Sequence, residues 1–244
     1  MNRAVHRRPR LVAHRGLHDE TRGGSRENTL EAVQDAVDAG AEMVEIDVQL
    51  SREGAVVVLH DSTLERLWGD RRAVTEIELD ELRTIGTGDR RIPLLAQVLE
   101  VIRGTGTTLL IDIDHLQPAA PAAEVVLTAQ RPVSQGAVQT AWCGDAGAMR
   151  VIQQKAPGAE VWTPWYQSTP PAAADLERGS RVVNIRHLLV SRDFVEAVHS
   201  LGATVACWTV DEPTRAAHLA EIGVDSITTN RLPQLRKALE GARA

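Results

Sequence analysis

The chain has 244 residues, enough for one large α/β barrel or two smaller domains with a full core. Its formal charge is 27 − 33 = −6, which excludes a general nucleic-acid-binding surface. Lys155 and Lys237 are the only lysines, so an anion pocket would have to rely on arginine forks or backbone N–H groups.

The first ten residues are basic (Arg3, Arg7, Arg8, Arg10) but lead into a short strand, with no apolar core region or cleavage site of a signal peptide. No apolar stretch approaches the ~20 residues that span a bilayer. The expectation is a soluble cytoplasmic protein without stable membrane insertion. Strand-like runs follow at Leu11–Ala13, Met43–Leu50, Val56–Leu59, Leu109–Ile113, Ala137–Ala141, Glu160–Trp165, Val182–Ile185, Thr204–Val210 and Ser226–Thr228. Between most of them lie segments with apolar residues three and four apart, among them Thr29–Ala39, Leu94–Ile102, Arg192–Leu201 and Pro213–Ile222. Gly40, Gly202 and Gly223 sit where helix C-caps are expected. Eight βα units, with Val56–Leu59 extending the second, predict a (β/α)8 TIM barrel. A doubly wound open sheet is the alternative, but no Gly-x-Gly-x-x-Gly follows the first strand. Ser62–Ile92 is polar and lacks a strong strand, and reads as a small inserted lobe with one short helix near Glu78–Leu82. No linker or repeat divides the chain, so residues 1–244 are expected to form one domain. Cys143 and Cys207 belong to different strands and have no metal-ligand spacing, so two reduced core thiols are expected.

Chemistry concentrates at strand ends. Alternation puts Glu45 and Asp47 on one face of Met43–Leu50 and Val44, Ile46 and Val48 on the other. With the apolar face on the helices, both carboxylates point into the barrel, where they need a cation or arginine partners. All-oxygen ligands suit Mg²⁺, Ca²⁺ or Mn²⁺ better than Zn²⁺. Asp112 is the expected third ligand. Asp114, on the same face, is left as a base, a weaker ligand or an exposed strand end. His14 and His60 each end a strand beside a charged neighbour, which suggests an acid–base pair. Arg15 offers a forked grip on phosphate oxygens. Asp61 either orients the His60 ring or forms an Asx turn, and Gly16 permits a sharp bend. Asn28 or Thr29 caps the first long helix, with Glu27 near the rim. Trp208 either walls the pocket and contacts substrate or fills core. Trp142, Trp162 and Trp165 also fall near strand ends, so an aromatic rim is expected.

The pieces Ala13-His14-Arg15-Gly16, Glu27-Asn28-Thr29, Glu45-Ile46-Asp47-Val48, His60-Asp61-Ser62-Thr63-Leu64 with Arg66, Ile92-Pro93, Cys207-Trp208-Thr209-Val210 and Gly223 to Asn230 resemble the glycerophosphodiester phosphodiesterase family. The resemblance runs from Val12 to Pro233. It implies a barrel with a small insertion, one divalent cation (Mg²⁺ or Ca²⁺), and hydrolysis of a small-molecule glycerophosphodiester to glycerol 3-phosphate and an alcohol. By motif it implies that His14 and His60 are the acid–base pair, Arg15 a phosphate ligand, and Glu45 and Asp47 metal ligands. A substrate hydroxyl can act as internal nucleophile in this family, giving a cyclic phosphate that water opens. Where the family usually has Glu-x-Lys, this chain has Asp112 and Asp114; Arg186 or His187 is the expected source of compensating positive charge. The alternatives are a lysophospholipase D-like enzyme releasing a cyclic phosphate, and a silent barrel that binds a phosphorylated ligand. Self-association into a homo-oligomer is left open.

Overall fold

Every strand that carries a site residue shows the two-residue period the sequence suggests. The computed structural model describes residues 8–130, 136–176 and 180–241. Its strands are β1 (Arg10–Ala13), β2 (Met43–Leu50), β3 (Val56–Val58), β4 (Gly86–Thr87), β5 (Arg90–Arg91), β6 (Thr108–Ile113), β7 (Gln139–Gly144), β8 (Glu160–Trp165), β9 (Val182–Arg186), β10 (Thr204–Trp208) and β11 (Ser226–Thr229). The helices are α1 (Leu30–Asp38), α2 (Glu65–Trp68), α3 (Leu79–Leu82), α4 (Leu95–Ile102), α5 (Ala119–Ala129), α6 (Ala146–Lys155), α7 (Arg192–Ser200), α8 (Pro213–Glu221) and α9 (Leu232–Gly241).

Parallel pairing runs β1-β11-β10-β9-β8-β7-β6-β2, and β1 pairs β2 to close the ring. This is an eight-stranded parallel barrel, and closure excludes the open doubly wound sheet. β3 lies outside the ring, antiparallel to β2, as the extension expected of it. Val44, Ile46 and Val48 face the helices in the main core, together with Leu109, Ile111 and Ile113 of β6. The opposite parity fills the barrel itself: Val12, Met43, Leu110, Ala141, Cys143, Trp162, Val182 and Ala206 form one buried apolar cluster. Side chains from successive strands interdigitating in this way make the interior a packed core. Both cysteines are free and buried.

The inserted lobe has its own core of Val57, Leu59, Leu64, Val74, Ile77, Leu82 and Ile92. It contains two short helices, α2 and α3, and the β4–β5 hairpin, where the sequence suggested one helix. Glu78 is the N-cap of α3. The fourth ring strand also differs from expectation: it is Gln139–Gly144, not Ala137–Ala141, because its parallel ladder with β6 runs from Thr108↔Gln139 to Ile113↔Gly144. β10 ends at Trp208, short of Val210. Among the described residues no helix is long and apolar enough to cross a membrane.

Candidate active site at the C-terminal mouth of the barrel

Two residues beyond the apolar plug, on the same face of the same strands, the interior turns acidic. Glu45 and Asp47 follow Met43 on β2, and Asp112 follows Leu110 on β6, with Asp47 and Asp112 in register across the ladder. Ligand oxygens of Glu45, Asp47 and Asp112 all lie within 4.8 Å of one another. Glu45 and Asp47 are 3% and 5% exposed. Glu45 Oε1 and Asp112 Oδ1 are buried without a hydrogen-bond partner. Burial, then the charges of Asp47 and Asp112, push the Glu45 carboxyl well above its usual range. Burial, then Asp47 and Asp114, push Asp112 up to about 8. Three crowded carboxylates with orphaned oxygens cost less when a cation satisfies them, and hard oxygen donors suit a hard dication. The residues present fit a divalent metal, as the sequence suggested.

The β1–α1 turn crosses beside this triad. Arg15 sits in the left-handed region at φ 58°, a conformation costing a non-glycine residue roughly 1 kcal/mol or more. Its N–H donates to Glu45 Oε2 at 2.8 Å, which holds it there. Gly16 follows at φ 81°, and a Cβ on it would lie 2.6 Å from the Ala32 carbonyl carbon of α1, so the bend and the close approach both demand glycine. The Arg15 Nη1 donates to Glu27 Oε1 at 2.8 Å. Its Nε lies 3.2 Å from Asp47 Oδ2 without hydrogen-bond alignment. Thr29 caps α1, accepting from Ala32 N at 3.2 Å. Asn28 instead turns inward: its Nδ2 donates to Asp47 Oδ2 at 2.7 Å and its Oδ1 accepts from Asp47 N at 3.2 Å.

His14 and His60 face the same cavity of about 360 Å³, which Arg15, Asp47, Asp112, Asp114 and Trp208 also line. His14 Nδ1 is 2.8 Å from Asn230 Oδ1, and its Nε2 is 4.0 Å from Glu45 Oε2. Burial, then the Arg15 charge, lowers the His14 pKa. His60 Nδ1 is 2.6 Å from Asp61 Oδ1, and its Nε2 is 3.9 Å from Asp114 Oδ2. Asp61 therefore orients the ring. Arg66, on α2 of the lobe, grips Asp61 through Nε at 2.6 Å and Glu27 through Nη2 at 2.7 Å. Burial alone would raise Glu27, yet the Arg66 and Arg15 guanidiniums hold it at about 2. Glu27 thus faces two arginines, away from the acidic triad.

Two expectations need correction, and a third position left open is narrowed. The tryptophans do not form a rim: Trp142 packs outward in the main core, Trp162 fills the barrel plug, and Trp165 donates to Thr169 O, leaving Trp208 as the tryptophan on the cavity wall, joined there by Tyr166. A strand-end position does not specify which face an indole takes. Asp114, left open between three roles, lies just past the end of β6 and is 58% exposed, while its ligand oxygen stays within 4.8 Å of ligand atoms of Asp47 and His60. Arg186 and His187 are not among the cavity-lining residues, and His187 accepts from Arg215, so neither supplies the missing positive charge. Sequence reasoning gave no role to Asn230, quoted only as the end of a motif, and passed over Asp211, Asn184, Asp145 and Tyr166. Four of them share a signal of position, since Asp145, Tyr166, Asp211 and Asn230 follow the C-terminal ends of ring strands, where barrel sites are built, and Asn184 lies within β9.

Such a mouth, with two imidazoles and a guanidinium beside buried carboxylates, is equipped for acid–base chemistry on an anionic group. The sequence profile of the glycerophosphoryl diester phosphodiesterase family matches residues 14–233. YhdW of Bacillus subtilis is 28% identical over 232 residues, which cover 90% of this chain and 93% of that protein. A glycerophosphodiester phosphodiesterase of Caldanaerobacter subterraneus is 24% identical over 239 residues, covering 90% and 93%. The fold matches an Oleispira antarctica phosphodiesterase solved in complex with the product sn-glycerol-3-phosphate, with a TM-score of 0.83 at 22% identity, over 95% of this chain and 97% of that one. The chain belongs to the glycerophosphoryl diester phosphodiesterase family.

Proposed function

We propose that this protein hydrolyses glycerophosphodiesters to glycerol 3-phosphate and an alcohol, dependent on one divalent cation, by acid–base catalysis between His14 and His60. The observation that carries the reading is that both rings have Nδ1 engaged by a fixed acceptor while Nε2 is free toward one cavity beside the acidic triad. One imidazole takes a proton from the attacking hydroxyl or water, and the other returns one to the departing alkoxide. Arg15, held by Glu27 and backed onto Asp47, offers its guanidinium to the phosphate oxygens. Glu45, Asp47 and Asp112 would hold the cation, which when bound supplies charge stabilisation at the phosphate. Trp208 gives the cavity an apolar wall for the organic part of the substrate. Family membership and the glycerol-3-phosphate seen in the Oleispira relative support this substrate class.

The test is release of glycerol 3-phosphate from glycerophosphocholine and glycerophosphoethanolamine with Mg²⁺, Mn²⁺ or Ca²⁺ and with EDTA. Metal-dependent, EDTA-sensitive release is expected. No release with any of the three cations would reject the reading.

A further inference from the structure

The strand ends that follow β10 and β11 are neighbours in the ring, and each contributes one polar residue behind His14. Asp211 accepts at both oxygens. Oδ1 takes the Asn230 backbone N–H at 2.8 Å and the Thr229 hydroxyl at 3.1 Å, and Oδ2 takes the Asn230 side-chain N–H at 2.8 Å. A carboxylate donates nothing, so the Asn230 amide nitrogen must face it; turning the amide over would set oxygen against oxygen. Its oxygen is therefore directed away from Asp211, at 2.8 Å from His14 Nδ1 and 3.3 Å from His18 Nε2.

An amide oxygen only accepts, so the proton of a neutral His14 must sit on Nδ1, and the lone pair must sit on Nε2. Among the described residues no hydrogen-bond partner meets that lone pair: Glu45 Oε2 is 4.0 Å away and already accepts from the Arg15 N–H. At His60 the Nδ1 likewise meets an acceptor, the Asp61 carboxylate, but that carboxylate adjoins it in sequence and is held by Arg66, where the acceptor of His14 comes from the far end of the chain.

We infer that Asn230, locked by Asp211, is a positioning residue that fixes the His14 tautomer, with the proton on Nδ1 and the lone pair on Nε2. This rests on the reading of the paired histidines given above. Asn230 and Asp211 touch no reacting atom; they act through the ring.

The experiment is nitrogen NMR of the ¹⁵N-histidine-labelled protein together with steady-state kinetics. In the wild type, His14 is expected to show a protonated Nδ1 and a bare Nε2. Asp211→Asn releases the amide to turn over, and His14 is then expected to shift toward the Nε2–H form. In that variant kcat falls at least about tenfold while KM stays within about threefold, since the loss is in proton transfer. Asn230→Ala is expected to slow kcat similarly, and adding Asp211→Asn to it should cost nothing more, because Asp211 acts through Asn230. Wild-type His14 protonated on Nε2, or additive losses in the double variant, would overturn the inference. If Asp211→Asn fails to fold, the wild-type spectrum and Asn230→Ala still decide it. The spectrum needs no turnover, so absence of phosphodiesterase activity would sink the functional reading separately.

Discussion

Two layers of the barrel interior are separated by a single two-residue step along the same strands, and their physics is opposite. The lower layer, with Met43, Leu110 and Trp162, is apolar, buried and fully packed. The upper layer, with Glu45, Asp47 and Asp112, is nearly as enclosed but carries three carboxylates and two orphaned oxygens. The lower layer gains stability by excluding water. The upper layer gives stability away to hold a charge-poised site. Because the strand period is two, the same pleat that builds one layer aims the other.

The comparison can be broken at several points. Trp162→Ala, in the lower layer, should destabilise the fold by roughly 3–5 kcal/mol, as loss of a buried indole does. Denaturant melts read it directly; kcat per folded molecule should be unchanged, and a large drop in kcat would show that the layers are not separable. In the upper layer His14→Ala and His60→Ala should each lower turnover by about 10²-fold or more with little change in melting temperature. Near-wild-type turnover in either variant would remove that histidine from the mechanism.

A subtler difference lies in pH. Burial, together with Asp47 and Asp114, takes Asp112 from its usual 3.8 to about 8 in the metal-free fold. The folded chain then binds this proton more tightly than the unfolded chain. Its stabilising contribution is complete below about pH 4 and is lost as pH rises through about 8. The melting temperature of EDTA-treated protein should therefore fall between about pH 5 and pH 8. Added Mg²⁺ or Ca²⁺ should recover more at pH 8 than at pH 5, because carboxylates bind metal deprotonated. A flat profile that is indifferent to cations would refute the metal-site reading of the upper layer. The smallest effect belongs to Asp114→Asn. With a side chain 58% exposed and 3.9 Å from His60 Nε2, its charge is screened by water, and kcat/KM should change only a few-fold. A loss of about 10²-fold would place Asp114 in the machinery.

The barrel and several of the residues that line its mouth could be read from strand alternation and chain order alone. Strand alternation put Glu45 and Asp47 on one face with Val44, Ile46 and Val48 behind them, and the structure keeps that parity. His14, Arg15 and Asp112 reach the cavity expected of them because each lies at the end of a parallel strand, and parallel strands in a closed ring bring those ends together, whereas His60 reaches it from β3, antiparallel to β2 outside the ring. What alternation could not supply is where a strand stops. Asp112 and Asp114 share a parity, but β6 ends at Ile113, so one is enclosed and the other stands in solvent. Nor could it say which indole faces inward, since that depends on register around the whole ring. Long-range partners were invisible for the same reason. Asn230 meets His14 across 216 residues, and Arg66 of the lobe meets Glu27 across 39. Local sequence sets a side chain's direction along its own strand; only closure of the barrel decides which other strand's side chain it meets.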